Sequence, residues 1–322
     1  MPRYGTYETP RADLGQALME TRLVPVGGFV GTVVLPIFGT RKKAAAFSAI
    51  TRESILRRRN VKRAAKSNYN RDSYEGDDIE YKCQEFGHEQ PLDDSERELY
   101  ASDFDAEMVA VNVAEGVLLR EQEIRIAAAL FNTTTWTGAD LYTDNSADPW
   151  DSADADIIGQ VKAMKEKVRQ GVGMDPDSLL ISKVQFDNAT TINTDILDRL
   201  KYTQTATKRA LEENLAAILG VERVVVGNGV YNSAKEGQDM SAADIWSDDY
   251  AMVAVTAKTP NLAEPCVGRT MLWTADSPQN VTVEEYREPQ SRSSIYRVRQ
   301  QTDEKVFDPY FAHLAKIDAT GS

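Results

Sequence analysis

The stretch Ser102–Phe131 reads SDFDAEMVAVNVAEGVLLREQEIRIAAALF, and the other segments are organised around it. No proline interrupts it, and Ser102 with Asp105 three residues later fits a capped first turn. Its 30 residues predict a helical rod of ~45 Å, long enough to span a domain. Apolar residues recur at the three-and-four spacing of one helix face, namely Phe104, Met108, Val111, Ala114, Leu118, Ala128 and Phe131.

The composition is that of a globular protein. The chain has 322 residues, 42% hydrophobic and 27% charged, enough for two linked domains with their own cores. Two cysteines, Cys83 and Cys266, do not indicate a disulfide framework. The most apolar segment, Leu23–Phe38, has 16 residues broken by proline and glycine, whereas a spanning helix needs ~20. We therefore expect no membrane contact.

Charge is distributed unevenly along the chain. Residues 1–71 hold 14 Lys and Arg against 4 Asp and Glu, a net charge of +10, while residues 72–322 carry −23. Such an asymmetry indicates a partner more than a fold. The basic part could bind nucleic acid, or it could bind the acidic body of another copy of this protein.

The first 92 residues do not predict a core of their own. Residues 1–45 read as an arm, with a possible short helix over Asp13–Thr21 and an extended Pro25–Gly39 segment, ordered only where it lies on another surface. Residues 46–92 read as a long basic loop with two legs, the second leg including the alternating strand IEYKCQEFGHEQ. Its cations are Arg57, Arg58, Arg59, Lys62, Arg63 and Lys66.

Acidic loops and an α/β unit follow the long helix. Residues 132–256 alternate helices, including 154–171 and 207–219, with strands at Leu179–Ser182, Val221–Val226 and Asp249–Thr256. Later strands fill Met271–Ile317, which we expect to return beside the long helix. The loops carry acidic residues without calcium-loop spacing, and we expect them to accept the basic loop: Asp140, Asp144, Asp148, Asp151, Asp154 and Asp156, then Glu236, Asp239, Asp244, Asp248 and Asp249.

Catalytic patterns are weak. A triad would have to use His88 or His313, and Cys83 with His88 supplies only half of a zinc site. Neither GxxxxGK[ST] nor GxGxxG occurs, and VVVGNGVY reads as a tight turn. We expect no enzyme activity, no cofactor and no metal.

The order of parts resembles the major capsid proteins of tailed bacteriophages. The closing run GRTMLW, then VTVEEYREPQSRSSIYRVRQQTDEKVFDPYFAHLAKI, is similar to the end of such subunits, as is EYKCQEFGHEQPLDDSE before the long helix. The resemblance covers roughly residues 20–317 and implies an α+β Hong Kong 97-type capsid fold. It divides the chain into an arm (1–45), an extended loop (46–92), a peripheral domain with the spine helix (93–131 and 257–322) and an axial domain (132–256).

The resemblance also implies the function and the partners. Copies would form the pentamers and hexamers of an icosahedral virion shell, assembled in the cytoplasm of a host bacterium around double-stranded DNA. About 100 residues precede the spine helix and form the arm and loop, so we expect a separate scaffolding protein, together with a portal protein and a possible decoration protein. Two alternatives stay open at this point: an encapsulin-type compartment shell, and a soluble nucleic-acid-binding protein or enzyme.

Overall fold

The computed structural model describes residues 28–63, 65–66, 68–100, 106–201 and 207–318, with backbone alone at residues 9–10 and 99–100. The predicted Asp13–Thr21 helix and the Ser102–Asp105 cap lie outside these residues. The helices are α1 (Gly31–Val34), α2 (Arg52–Leu56), α3 (Asp94–Tyr100), α4 (Ala106–Leu130), α5 (Ile157–Val172), α6 (Lys183–Thr191), α7 (Thr194–Leu200) and α8 (Lys208–Leu219).

The strands form two sheets and two ribbons. In chain order they are β1 (Thr9–Pro10), β2 (Ile37–Thr40), β3 (Ala44–Ile50), β4 (Gly76–Lys82), β5 (Gln84–Asp93), β6 (Tyr142–Asp144), β7 (Ser178–Ser182), β8 (Arg223–Gly227), β9 (Val230–Asn232), β10 (Ala242–Asp244), β11 (Tyr250–Ala254), β12 (Gly268–Trp273), β13 (Thr282–Glu288), β14 (Ser293–Val306) and β15 (Ala312–Lys316).

The long strand β14 organises the six-stranded sheet. β5 pairs antiparallel along one side of it, while β13 and β12 pair with successive parts of its other side. β2 then adds parallel to β12, and β1 antiparallel to β13. Tyr296 and Val298 on β14 pack with Val111 and Leu118 of α4, so the prediction that the closing strands lie beside the long helix is confirmed for β14.

The five-stranded sheet, in the order β6-β15-β11-β7-β8, is buried on both faces. Alternate residues of a strand point to opposite faces, so Leu179 and Val253 enter a core covered by α5–α8, while Leu180 and Met252 enter a second core with Trp246. The α/β alternation predicted for 132–256 is confirmed. The final strand β15 pairs with β11 and β6 in this sheet, although Leu314 also reaches the end of the long helix.

Helix α4, the spine helix, has 25 residues and a length of ~37 Å. Its buried residues include Val111, Ala114 and Leu118, as predicted, but Ala128 is exposed. The prediction that one uniform apolar face runs along the helix is therefore wrong. The reason is tertiary: the first half packs on the six-stranded sheet and the second half, through Ile126 and Leu130, on the Trp246 core. None of the helices within the described ranges is long and apolar enough to cross a membrane.

Two sequence predictions about the first 92 residues need correction. Gly31–Val34 is a helical turn within the segment predicted to be extended. Val34 and Leu35 are fully buried, and Thr270 donates its hydroxyl hydrogen to the Leu35 carbonyl at 2.9 Å. Residues 28–40 are therefore ordered by their own chain and do not need a neighbour. The loop with two legs is confirmed as the antiparallel pair β3–β4, but its second leg ends at Lys82 because β5 belongs to the six-stranded sheet.

Candidate interaction surfaces

The hairpin ribbon, strands β3 and β4, has two different faces. Phe47 and Tyr81 point inward, and the Phe47 ring stacks edge-to-face on Phe307 with centroids 5.2 Å apart. The opposite face is exposed along its whole length and consists of the pairs Ala44–Lys82, Ala46–Glu80, Ser48–Asp78 and Ile50–Gly76. Within the described residues no third strand joins the ribbon, so both of its edges lack strand partners.

The tip of the hairpin, residues 51–75, is held by local polar contacts instead of a core. Its ends meet where Thr51 N–H donates to the Glu75 carbonyl at 3.0 Å. Arg59 pairs with Asp72 at 2.8 Å and also donates to the Ser54 carbonyl. The Arg52 guanidinium lies 3.1 Å from the Tyr310 ring centroid, which anchors α2 on the body of the chain.

The predicted basic residues separate into two groups. Arg59 is used inside the tip, and the Arg63 guanidinium lies over the Tyr69 ring at 4.7 Å. The others are exposed and form no ion pair with any residue that the structure describes: Arg57, Arg58, Lys62 and Lys66. This second group is available to a partner, and Val61 between them is 90% exposed.

Several of the predicted acidic residues already have roles in their own chain. Asp156 accepts the Gly159 N–H at 2.8 Å as the N-cap of α5, and Asp148 accepts the Asp156 N–H and a Gln160 side-chain hydrogen, each at 3.0 Å. Asp140 forms an ion pair with Lys167 at 3.3 Å. Asp140 therefore faces a cation of its own chain, because α5 brings Lys167 beside it.

The remaining predicted acidic residues differ in their environments. Burial raises the pKa of Asp248, which is half-buried and not a surface charge. Hydrogen bonds from Ser146 lower the pKa of Asp144 at the end of β6. The structure brings neither together with the basic tip, and it leaves the following residues exposed: Asp151, Asp154, Glu236, Asp239 and Asp244.

A buried carboxylate on the spine helix joins three distant parts of the fold. Glu123 is 2% exposed and accepts the N–H groups of Val30 at 2.7 Å and of Gly31 at 2.8 Å. It also accepts the indole N–H of Trp246 at 2.7 Å. These are the free amides at the start of α1, where a negative charge is favourable. Burial raises the pKa of Glu123. This residue could not be predicted from the sequence, since a glutamate within a helix carries no local signal of burial.

A second group of charges missed by the sequence analysis lies on the face of the six-stranded sheet that points away from the spine helix. Arg299 donates to Glu284 at 2.7 Å and forms an ion pair with Asp276. Arg297 pairs with Glu89 at 2.7 Å across the neighbouring strand. The hydrogen bonds to Glu284 raise the pKa of Arg299, which keeps its guanidinium charged at every ordinary pH.

The residues considered for catalysis do not assemble into a site. Burial lowers the pKa of His313, whose Nδ1 lies 2.9 Å from the Asp140 carbonyl and whose Nε2 lies 2.9 Å from the Thr143 hydroxyl. Burial also raises the pKa of the Cys83 thiol to about 11, which suppresses the reactive thiolate. Across the described ranges no three His, Cys, Asp or Glu residues are placed to hold a metal ion.

Comparisons with known proteins agree with this arrangement. No protein-family model matches the chain. It is 23% identical over 250 residues to the major capsid protein of Burkholderia phage BcepMu, covering 76% of this chain and 78% of that protein. A phage-related protein of Bordetella bronchiseptica superposes with a TM-score of 0.73 at 19% identity, covering 98% of this chain and all of the other.

The capsid of a native GTA particle superposes with a TM-score of 0.57 at 12% identity over 93% of each chain. The chain has the Hong Kong 97-type capsid fold. The predicted fold class and the resemblance to phage major capsid proteins are confirmed.

Proposed function

We propose that copies of this capsid protein assemble into the pentamers and hexamers of an icosahedral shell that encloses double-stranded DNA. The observation that carries the proposal is the match to a phage major capsid protein over three quarters of the chain. The hairpin supports it, because a two-stranded ribbon with a basic tip is marginal in isolation and gains from a neighbouring surface.

The proposed division into parts follows the two sheets. The spine helix and the six-stranded sheet support a peripheral domain built from 93–131 and 257–322, and the five-stranded sheet supports an axial domain from 132–256. Strand β15 is the exception, since its backbone pairs inside the axial sheet. Residues 1–45 and 46–92 remain the proposed arm and extended loop.

The proposed contact between subunits is electrostatic. The exposed cations of the tip, Arg57, Arg58, Lys62 and Lys66, contact carboxylates of an adjacent copy, with packaged DNA as a secondary, non-specific partner of the arm. Each exposed ion pair contributes only ~0–1 kcal/mol, but the contact repeats around a closed shell. Interfaces of an obligate assembly bury more than ~2,000 Å², so we expect the tip to act together with apolar contacts such as Val61.

The proposed setting is a virion head assembled in the cytoplasm of a host bacterium. A scaffolding protein and a portal protein are the expected assembly partners, and a decoration protein is a further candidate. The proposed shell role requires no cofactor and no catalysis. The encapsulin-type shell is the alternative, and the phage relative favours the capsid over it.

Light scattering and negative-stain microscopy test the proposal directly. The purified protein, alone and with its scaffolding partner, should form closed shells of uniform diameter. A protein that stays a stable monomer at every salt concentration and with the scaffold present contradicts it. Shells that package a specific enzyme, and never DNA, identify the encapsulin alternative.

The tip contact has its own test. Changing Arg57 and Arg58 to Glu should leave circular dichroism and the melting temperature unchanged, because both side chains are exposed. Shell assembly should fail or become strongly salt-dependent, since screening acts over ~10 Å at 0.1 M salt. Arg59 is left in place because its pairing with Asp72 holds the tip together. Normal assembly of the double variant across a salt series contradicts the contact.

A further inference from the structure

The hairpin carries opposite charges at its two ends. Its tip presents the four unpaired cations defined above, whereas the exposed face of the ribbon presents Asp78 and Glu80, with Lys82 as the cation at its base. The ion pairs within the described residues include neither of these two carboxylates, and the single polar contact of Asp78 is the Ser48 hydroxyl. One hairpin therefore displays both a cationic group and an anionic face, and neither satisfies the other within the chain.

The anionic face is shaped to receive an extended segment. Opposite Glu80 and Asp78 the partner strand has only Ala46 and Ser48, so no bulky side chain separates an approaching chain from the ribbon. The face continues into an open trough of about 530 Å³ at the base of the hairpin, where Asp303 adds a third carboxylate and Lys82 and Lys305 add two cations. Arginine side chains laid along this floor could reach carboxylates on both sides of it.

Four of the acidic residues proposed as acceptors in the loops are poorer acceptors by comparison. Asp148 and Asp156 are engaged in capping α5, Asp140 faces Lys167, and Asp248 is half-buried. Asp78 and Glu80, by contrast, stand on a regular strand, where successive exposed side chains are held at a fixed spacing.

We propose that the exposed face of the ribbon, centred on Ala46, Asp78 and Glu80, is the docking site for the basic tip of a second copy of this chain. The inference rests on the proposed shell function and names the acceptor of its tip contact. Charge complementarity identifies the occupant: the tip offers four exposed cations that pair with no carboxylate of the described chain, and the ribbon offers two exposed carboxylates that pair with no cation of it. Successive copies join head to tail, because each hairpin donates a tip and accepts another.

A charge swap tests this assignment. The ribbon variant Asp78→Lys with Glu80→Lys should lower shell yield by about tenfold or more, as the tip variant Arg57→Glu with Arg58→Glu does. The four changes combined in one chain should restore assembly, because tip and ribbon become complementary again with inverted signs. Asp151→Lys with Asp154→Lys is the matched control on an acidic loop, and it should assemble like the parent.

Fold and assembly are read separately. Circular dichroism and melting temperature establish that each variant is folded, and the near-isosteric Asp78→Asn with Glu80→Gln replaces the ribbon variant if the lysines disturb the ribbon. The neutral variant should lose assembly less severely and show a shallower dependence on salt.

The outcomes distinguish this inference from the proposed function. If the ribbon variant assembles normally while the tip variant fails, the ribbon is not the acceptor, and the tip contact itself survives. If folded protein with all four changes does not recover assembly, the pairing of tip and ribbon is wrong. If the loop control fails and the ribbon variant does not, the acidic loops are the acceptor. If every variant forms normal shells, neither the tip nor the ribbon makes an electrostatic contact needed for assembly, and the proposed shell function is unaffected.

Discussion

Replacing Glu123 with alanine tests whether one buried carboxylate holds together the segment before the hairpin, the spine helix and the Trp246 core. The substitution removes the acceptor for the N–H groups of Val30 and Gly31 and for the Trp246 indole. A buried donor left without a partner costs ~1–3 kcal/mol. Removing the buried charge also recovers part of the free energy that its desolvation cost. We therefore expect the free energy of unfolding to fall by ~3–5 kcal/mol in total.

That loss is large against a typical total stability of ~5–15 kcal/mol. For a chain of this length, ~1 kcal/mol lowers the melting temperature by ~1.5 °C, so the expected decrease is ~5–8 °C. Glu121→Ala is the matched control, because Glu121 lies two residues away on the same helix and is exposed. It should change the free energy of unfolding by less than ~0.5 kcal/mol.

Thermal and urea unfolding measure the magnitude, and amide hydrogen exchange locates it. The amides of Val30 and Gly31 should lose protection in the Glu123 variant well below its unfolding midpoint, while those in the middle of β14 keep theirs. A variant that melts within ~1 °C of the parent, with Gly31 still protected, refutes the reasoning, since the carboxylate then holds nothing in place.

Three further outcomes follow from other positions. Val298→Asp should lower the free energy of unfolding by ~3–5 kcal/mol because Val298 is fully buried, while Val61→Asp should leave it unchanged. If the two variants melt at the same temperature, β14 is misplaced. Because the pKa of His313 is lowered in the folded protein, His313 contributes stability above pH 6.5 that is lost as the pH falls through the folded-state pKa. The melting temperature of His313→Asn should therefore decline less between pH 7.5 and pH 5.5 than that of the parent. An identical decline in both proteins contradicts this. Gly227→Ala should lower the free energy of unfolding by ~1–3 kcal/mol, because the added methyl group would overlap a buried indole ring. Gly76→Ala, whose methyl group would make ordinary contacts, should lower it by less than ~1 kcal/mol. A Gly227→Ala protein as stable as its parent would show that the ring is free to move.

Much of the fold could be predicted from local sequence patterns. The amphipathic spacing of Lys208–Leu219 and its closing Gly220, with φ of 65°, fixed α8 almost to the residue. The alternation in IEYKCQEFGHEQ predicted strand on both sides of Cys83. Such patterns are readable because helix and strand repeats depend on neighbours only a few residues apart.

The candidate surfaces were predicted only in part. The cluster of basic residues identified the tip. The sequence could not show that Arg59 forms an ion pair with Asp72 while Arg57 and Arg58 remain available to a partner. It assigned the acceptor to the acidic loops because their residues are numerous. The ribbon that we propose as the acceptor carries no such local signal, since Asp78 and Glu80 form a face only once β4 has paired with β3.

The sequence by itself determined most of the helices and strands, where charge concentrates, and which family the order of parts resembles. Tertiary structure alone decided that β15 joins the five-stranded sheet and that Glu123 is buried. Glu123 meets Val30 across 93 residues of sequence and Trp246 across 123. The physical reason is that a carboxylate has the same local propensity in water or in a core, and its environment is set by the chain topology that brings distant amide and indole donors to it.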